Sequence, residues 1–150
     1  MHKMKPDIEA LSSSILAYAM ERLRMDPPTI DHALPQTTLQ ELAGQTITEE
    51  GLSGGEALKL FVDALGPACI SQDHPRYLSF VPSAPSEVST LFDLVVGASN
   101  ICASSWLEGA GAIYAENQAL RWISDIAGLP SKAGGVFVSG GTAGNLSALV

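Results

Sequence analysis

The chain has 150 residues, 46% of them hydrophobic, a formal net charge of −8 and a pI of about 4.6. That length suits one ordinary domain, and that apolar share excludes global disorder. The 8 basic residues are scattered, so the clustered Lys and Arg that a phosphate backbone or an anionic membrane surface requires are missing, and neither nucleic acid nor membrane is expected as a partner.

Residues 6–25 read as an amphipathic helix, with Ile8, Leu11, Ile15, Ala19 and Leu23 at helical spacing. Lys3 and Lys5 precede an apolar stretch ending in Ala17-Tyr18-Ala19, the outline of a secretory leader. Asp7 and Glu9 interrupt its charged part and three serines dilute its apolar part, which argues against secretion and for a cytoplasmic location. Asp26-Pro27-Pro28 ends the helix, because proline lacks an N–H and restricts its predecessor. Thr29 to Gly51 is polar and reads as an extended strap, so that residues 1–52 form one region, a helix and a strap. Ser53-Gly54-Gly55-Glu56 has the form of a capping box. It opens a helix to about Leu65, stopped by Gly66-Pro67.

His74 to Pro85 reads as a loop, with prolines at 75, 82 and 85. Residues 86–104 read as a strongly apolar helix with a small face (Gly97, Ala98, Ser99, Ala103), broken by Glu108 to Gly111. The longest nearly uncharged run, Leu94 to Leu107, is too short for a membrane span. Ala115 to Gly128 reads as a further helix with Leu120, Ile123, Ile126 and Ala127 inward, closed by Leu129-Pro130. Trp106 and Trp122 read as core. Cys69 and Cys102 belong to no CxxC pair, which supports no thiolate metal site. Both read as buried small apolar residues, and low cysteine usage suits a reducing compartment.

A strand over 135–138, a glycine turn and the start of a last helix complete the sequence. Strand, glycine turn and helix in that order open an α/β unit, and a lone strand leaves its backbone groups unpaired. The sequence therefore reads as the front of a larger domain. Gly140 and Gly141 remove side chains where a ligand would approach the backbone, and Thr142 offers a hydroxyl that can cap the helix beginning there. Free N–H groups at a helix start suit a phosphate or another anion. An ordinary tight turn is the plainer reading of such a stretch. GxxxxGK[ST] fails for want of a lysine, and GxGxxG fails on spacing. The nucleophile elbow GxSxG fails because Phe137 occupies its first glycine position, which sets aside a serine hydrolase.

Three stretches share one resemblance. VFVSGGTAGNLSAL resembles the phosphate-binding turn of the pyridoxal-phosphate-dependent group II decarboxylases, the family of aromatic-amino-acid, glutamate and diaminobutyrate decarboxylases. His74-Pro75-Arg76-Tyr77 with Phe80-Val81-Pro82-Ser83-Ala84-Pro85 resembles the family's substrate loop. Ser105-Trp106, with Glu116 ten residues after the tryptophan, is similar to a third family segment. Ala110 stands where a proline is common, and Tyr114 replaces the first acid of that segment.

The resemblance implies an α/β fold of the PLP-dependent transferase type (aspartate aminotransferase fold type I). This chain would hold its helical N-terminal segment and the first strand-turn-helix of the large domain. Residues 1–52 would wrap a partner, and 53–150 would begin the cofactor-binding domain. It implies pyridoxal 5'-phosphate as cofactor, held by Gly141 and Thr142, and an amino-acid substrate met by Phe80, Pro82, Ser83 and Ser104. The last of these would reach into the neighbouring subunit of a homodimer. The activity implied is decarboxylation of an amino acid to an amine and CO2. An aminotransferase or lyase relative, or a non-catalytic assembly fragment of the same fold, are the alternatives. Lys3, Lys5, Lys59 and Lys132 are the four lysines, and none lies in the family's Schiff-base context. No catalytic residue and no metal site are assigned within these residues; by the resemblance the catalytic groups would lie beyond Val150. His74, with no second histidine near it in the loop, reads as a structural hydrogen-bonding residue.

Overall fold

The computed structural model describes residues 6–30, 32–80 and 84–150. They form two compact units, residues 1–90 and 91–150.

The first unit is built on α1 (Pro6–Leu23), α2 (Gln36–Ala43) and α3 (Gly54–Leu60), the last continued by a π-helical turn over Phe61–Leu65. Asp7 and Glu9 lie in the first turn of α1 and Arg22 in its last, complementing the helix dipole. Its three serines, which favour turns over helices, are absorbed by donating back to the carbonyls of Ile8, Glu9 and Ala10 at 2.8, 3.2 and 3.1 Å. The capping box forms as expected. Glu56 N–H donates to Ser53 Oγ at 3.3 Å, and Ser53 N–H donates to Glu56 Oε2 at 2.9 Å. The unit's small core lies where α1 meets α3 and the π-turn. Tyr18 and Phe61 pack edge to face, with centroids 6.0 Å apart and planes at 85°, and Ala64 is buried. Leu11 presses against Gly54.

The strap reading needs correction, because its middle is helical. Pro35 and Gly44 bracket α2, the ordinary start and stop signals of a short helix. Further on, α4 (Glu87–Ser99) ends five residues before the expected Ser104, because Asn100 takes a left-handed φ of 48°.

In the second unit α5 (Trp106–Ile126) runs across Glu108–Gly111, and the expected break takes the form of a kink there. The helix is kinked at Gly109, whose φ and ψ are −134° and 35°. The kink has a packing cause: a Cβ on Gly109 would stand 2.6 Å from the Cys102 carbonyl oxygen. α5 closes in a Schellman motif. Leu129 N–H donates to the Ser124 carbonyl and Gly128 N–H to the Asp125 carbonyl, with Gly128 at φ 68°. Residues 133–138, without regular structure, then lead into the turn and α6 (Gly141–Leu149).

Residues 135–138 are not a strand. They carry no regular structure and have no ladder partner among the described residues, and a strand is defined by its pairing. Burial also departs from expectation. Ile123, Ile126, Trp106, Trp122, Cys69 and Cys102 are all exposed; among the described residues no layer packs over those faces of α5.

Candidate functional site

The glycine turn takes its shape from the segment before it and the helix after it. That segment lies against α6, with Val138 Cγ2 3.5 Å from where a Cβ of Gly144 would sit. Gly140 occupies the N-cap position and brings no side chain to it. The first intrahelical bond is Gly144 N–H to the Gly140 carbonyl at 3.1 Å. The N–H groups of Gly141, Thr142 and Ala143 are therefore the orphan donors of the helix start, at the positive end of its dipole.

Thr142 does not cap α6, contrary to the sequence expectation. The helix starts two residues earlier than that role requires, with Gly140 as N-cap, and the Thr142 hydroxyl makes no hydrogen bond among the described residues. A Cβ at Gly140 or Gly141 would meet nothing within 4 Å. Position 140 needs glycine for its backbone, at φ 158°; at Gly141 the fold needs none for space, and a ligand approaching the backbone would. Three convergent N–H donors, an uncommitted hydroxyl and an open face fit a phosphate group.

Ser104 is in the same unit, on the approach to α5. Its hydroxyl lies 3.3 Å from Glu108 Oε2 and 2.9 Å from Cys102 Sγ. One proton serves both neighbours. Given to Glu108, it leaves the thiol as donor. Given to Cys102, and joined by the Ser104 backbone N–H, it holds that thiol below the usual thiol range. Ser105 Oγ also donates to Glu108, at 2.8 Å. No hydrogen bond joins Ser104 to the glycine turn among the described residues.

Phe80 belongs to the first unit. It is 92% exposed, with a positive φ of 61°, an uncommon backbone state for an aromatic residue. Packing in a core of this chain is therefore not its role. Pro82 and Ser83 lie outside the described residues. His74 makes hydrogen bonds within its own loop: its Nδ1 accepts the Arg76 N–H at 3.0 Å and its carbonyl the Tyr77 N–H at 2.8 Å. The first unit also holds a cavity of about 540 Å³ lined by Tyr18, Arg22, Phe61 and Asp73 among others, and none of the expected site residues lines it. Among the described residues no group of three His, Cys, Asp or Glu could hold a metal ion, and no helix is long and apolar enough to cross a membrane.

One functional candidate has no sequence motif. Arg121 on α5 spans the loop that leads toward the turn, bonding carbonyls up to 12 residues downstream.

The chain is similar to an aromatic-L-amino-acid decarboxylase of Bacillus atrophaeus, 30% identical over 130 residues, which cover 87% of this chain and 27% of that protein. It is also similar to an L-2,4-diaminobutyrate decarboxylase of Acinetobacter baumannii, 25% identical over 99 residues, 66% of this chain and 19% of that protein. The chain thus spans roughly a quarter or less of the length of the curated relatives it matches. Both relatives are amino-acid decarboxylases by name, the activity implied by the three motifs. No family model matches the chain, and no solved structure matches it.

Proposed function

We propose that this chain is the N-terminal portion of a pyridoxal-phosphate-dependent amino-acid decarboxylase and supplies the wall of the site that binds the cofactor phosphate. The observation that carries the proposal is the start of α6. Its first three N–H groups have no intrahelical acceptor, the Thr142 hydroxyl is uncommitted, and no side chain fills the space at Gly140 and Gly141. The similarity to two decarboxylases supports the choice of phosphate carrier. Bound there, the cofactor would act as the electron sink for the carbanion left by loss of CO2.

The residues of this chain bind and orient. Gly141 and Thr142 would hold the phosphate. Phe80, exposed and unpacked, would meet an apolar or aromatic substrate side chain together with Pro82 and Ser83. Ser104 would act toward the neighbouring subunit's site in a homodimer whose interface draws on residues 6–25 and 86–104. The exposed apolar side chains of α4, Val88, Phe92 and Val96 among them, support such an assembly, since isolated soluble chains rarely carry large apolar patches.

The same exposure also supports a second reading, a non-catalytic fragment that docks on a partner. The test is cofactor binding by the whole protein that carries this chain, together with release of CO2 and an amine from aromatic amino acids. A visible absorbance band of bound cofactor, which needs more cofactor to develop when Thr142 is replaced by Ala, is the expected result. Absence of cofactor binding would reject the decarboxylase and leave the docking fragment.

A further inference from the structure

We propose that Arg121 is a positioning residue for the glycine turn, a clasp that fixes the path of the chain into the phosphate site. The proposal rests on the reading of that turn as an anion site.

The guanidinium spends all three of its nitrogens. Nε and Nη2 donate to Asp125 Oδ1 at 3.1 and 2.7 Å, one helical turn along α5. Nη1 donates to the carbonyls of Pro130, Ser131 and Ala133 at 3.3, 3.0 and 3.2 Å. Asp125 thus orients the planar group, and its outer edge gathers three backbone oxygens of the loop. Bonds from a charged donor are the strong ones, and a rigid fork loses little freedom in making several at once.

The loop so held is the only covalent route from α5 to the turn, and contacts continue along it. Beside Arg121, Leu120 approaches the next stretch so closely that a Cβ on Gly135 would lie 3.2 Å from Leu120 Cδ2. At the far end Val138 touches α6 at Gly144. Clasp, close approach and helix contact succeed one another along 130–144, so the direction in which α6 presents its first N–H groups depends on where Ala133 is held. Among the described residues these contacts run from Arg121 to Gly144 and do not include Ser104, so the effect of the clasp should fall on the start of α6.

The test uses the whole apoprotein and three probes: pyridoxal 5'-phosphate, inorganic phosphate, and pyridoxal, which lacks the phosphate. Arg121→Met should weaken binding of the first two by about tenfold, the lower end of what outer hydrogen-bond partners contribute at ligand sites, and leave pyridoxal affinity unchanged. Arg121→Lys should recover part of the loss, since an ammonium still reaches carbonyls but cannot also engage Asp125. Asp125→Asn keeps the clasp's size and weakens its orientation, and should show the same selective loss at smaller amplitude; it carries the test if Arg121→Met does not fold. Equal loss for all three probes would overturn the positioning role in favour of general stability. Unchanged affinities in Arg121→Met would overturn it while leaving the anion site intact. Failure of the unmodified protein to bind either phosphate-bearing probe would reject the anion site, and the clasp's purpose with it.

Discussion

The Arg22 guanidinium and the Asp73 carboxylate meet at 2.7 Å across 51 residues of chain. The pair ties the last turn of α1 to the turns after the π-helical segment, next to the Tyr18–Phe61 contact. Arg22 holds the Asp73 carboxyl below the usual carboxylate range, against the cost of its partial burial. A carboxyl whose folded pKa is depressed adds stability above its unfolded pKa and loses it as pH falls through the folded value. Asp73→Asn should therefore cost roughly 0.5–1 kcal/mol at neutral pH, the range of a partly exposed pair. That difference should shrink as the solution is taken down through the carboxylate range. Denaturant unfolding at several pH values checks this, and a difference independent of pH would refute the role of the pair.

Gly109 sits where the chain crosses itself. A Cβ there would lie 2.6 Å from the Cys102 carbonyl oxygen and 2.8 Å from Ala103 Cα, both backbone atoms that cannot swing aside. Gly109→Ala should destabilise by about 1–3 kcal/mol, the usual cost of forced overpacking, and loosen the Ser104–Glu108 contact beside it. Gly111, on the same helix, has nothing within 4 Å of its Cβ position. Gly111→Ala should instead stabilise by up to about 1 kcal/mol through helix propensity. Thermal melts of the two variants should move in opposite directions.

These cases mark what sequence alone makes legible. The periodicity of Ile8, Leu11, Ile15, Ala19 and Leu23 and the Ser53–Glu56 box are local signals, and both elements form where expected. α2 escaped because eight residues hold too few apolar positions to display a period, although Pro35 and Gly44 bracket it. The end of α4 escaped because an unbroken apolar run carries no stop signal until Asn100 turns left-handed. Residues 135–138 have strand composition, but a strand is a relation between two segments and no partner is among the described residues. At the turn, the glycines were readable as a motif. Which residue caps α6 depended on a two-residue shift, from Thr142 to Gly140, that composition does not encode.

Thr142 separates ligand binding from helix stability. Gly140 caps α6 without a side-chain bond, so removing the Thr142 hydroxyl leaves the helix start unchanged. Hydrogen bonds to charged groups contribute about 1.5–3 kcal/mol, so Thr142→Ala should weaken cofactor binding by about tenfold or more while the melting temperature holds. Cofactor titration of the two proteins decides it, and equal affinity would sink the phosphate assignment.

Gly141 makes the complementary case. Its Cβ position opens onto empty space, so valine is tolerated by the fold yet projects into the region a phosphate would fill. Gly141→Val should bind inorganic phosphate and the cofactor poorly and melt close to the unmodified protein. Normal affinity in calorimetry would mean that nothing approaches the backbone there, and the stretch would be an ordinary turn.

The last expectation concerns assembly. α4 has no buried residue, and its exposed side chains include Val88, Leu91, Phe92, Leu94, Val95 and Val96, which form a broad apolar face opposite Ser89, Thr90, Asp93 and Gly97. A helix with so broad an apolar stripe buries it against another element. α1 adds Ile8, Ile15 and Leu16. At about 25 cal/mol per Å² of apolar surface removed from water, covering even a few such side chains contributes several kcal/mol. The chain should therefore be at least dimeric in any well-folded form, through α1 and α4. Phe92→Asp should shift it toward smaller or unfolded species by placing a charge in the covered surface. Light scattering against concentration, with a melt on each species, provides the measurement. A monomer that melts cooperatively and is indifferent to Phe92→Asp would refute the assembly and mean that these helices are stable with their apolar side chains in water.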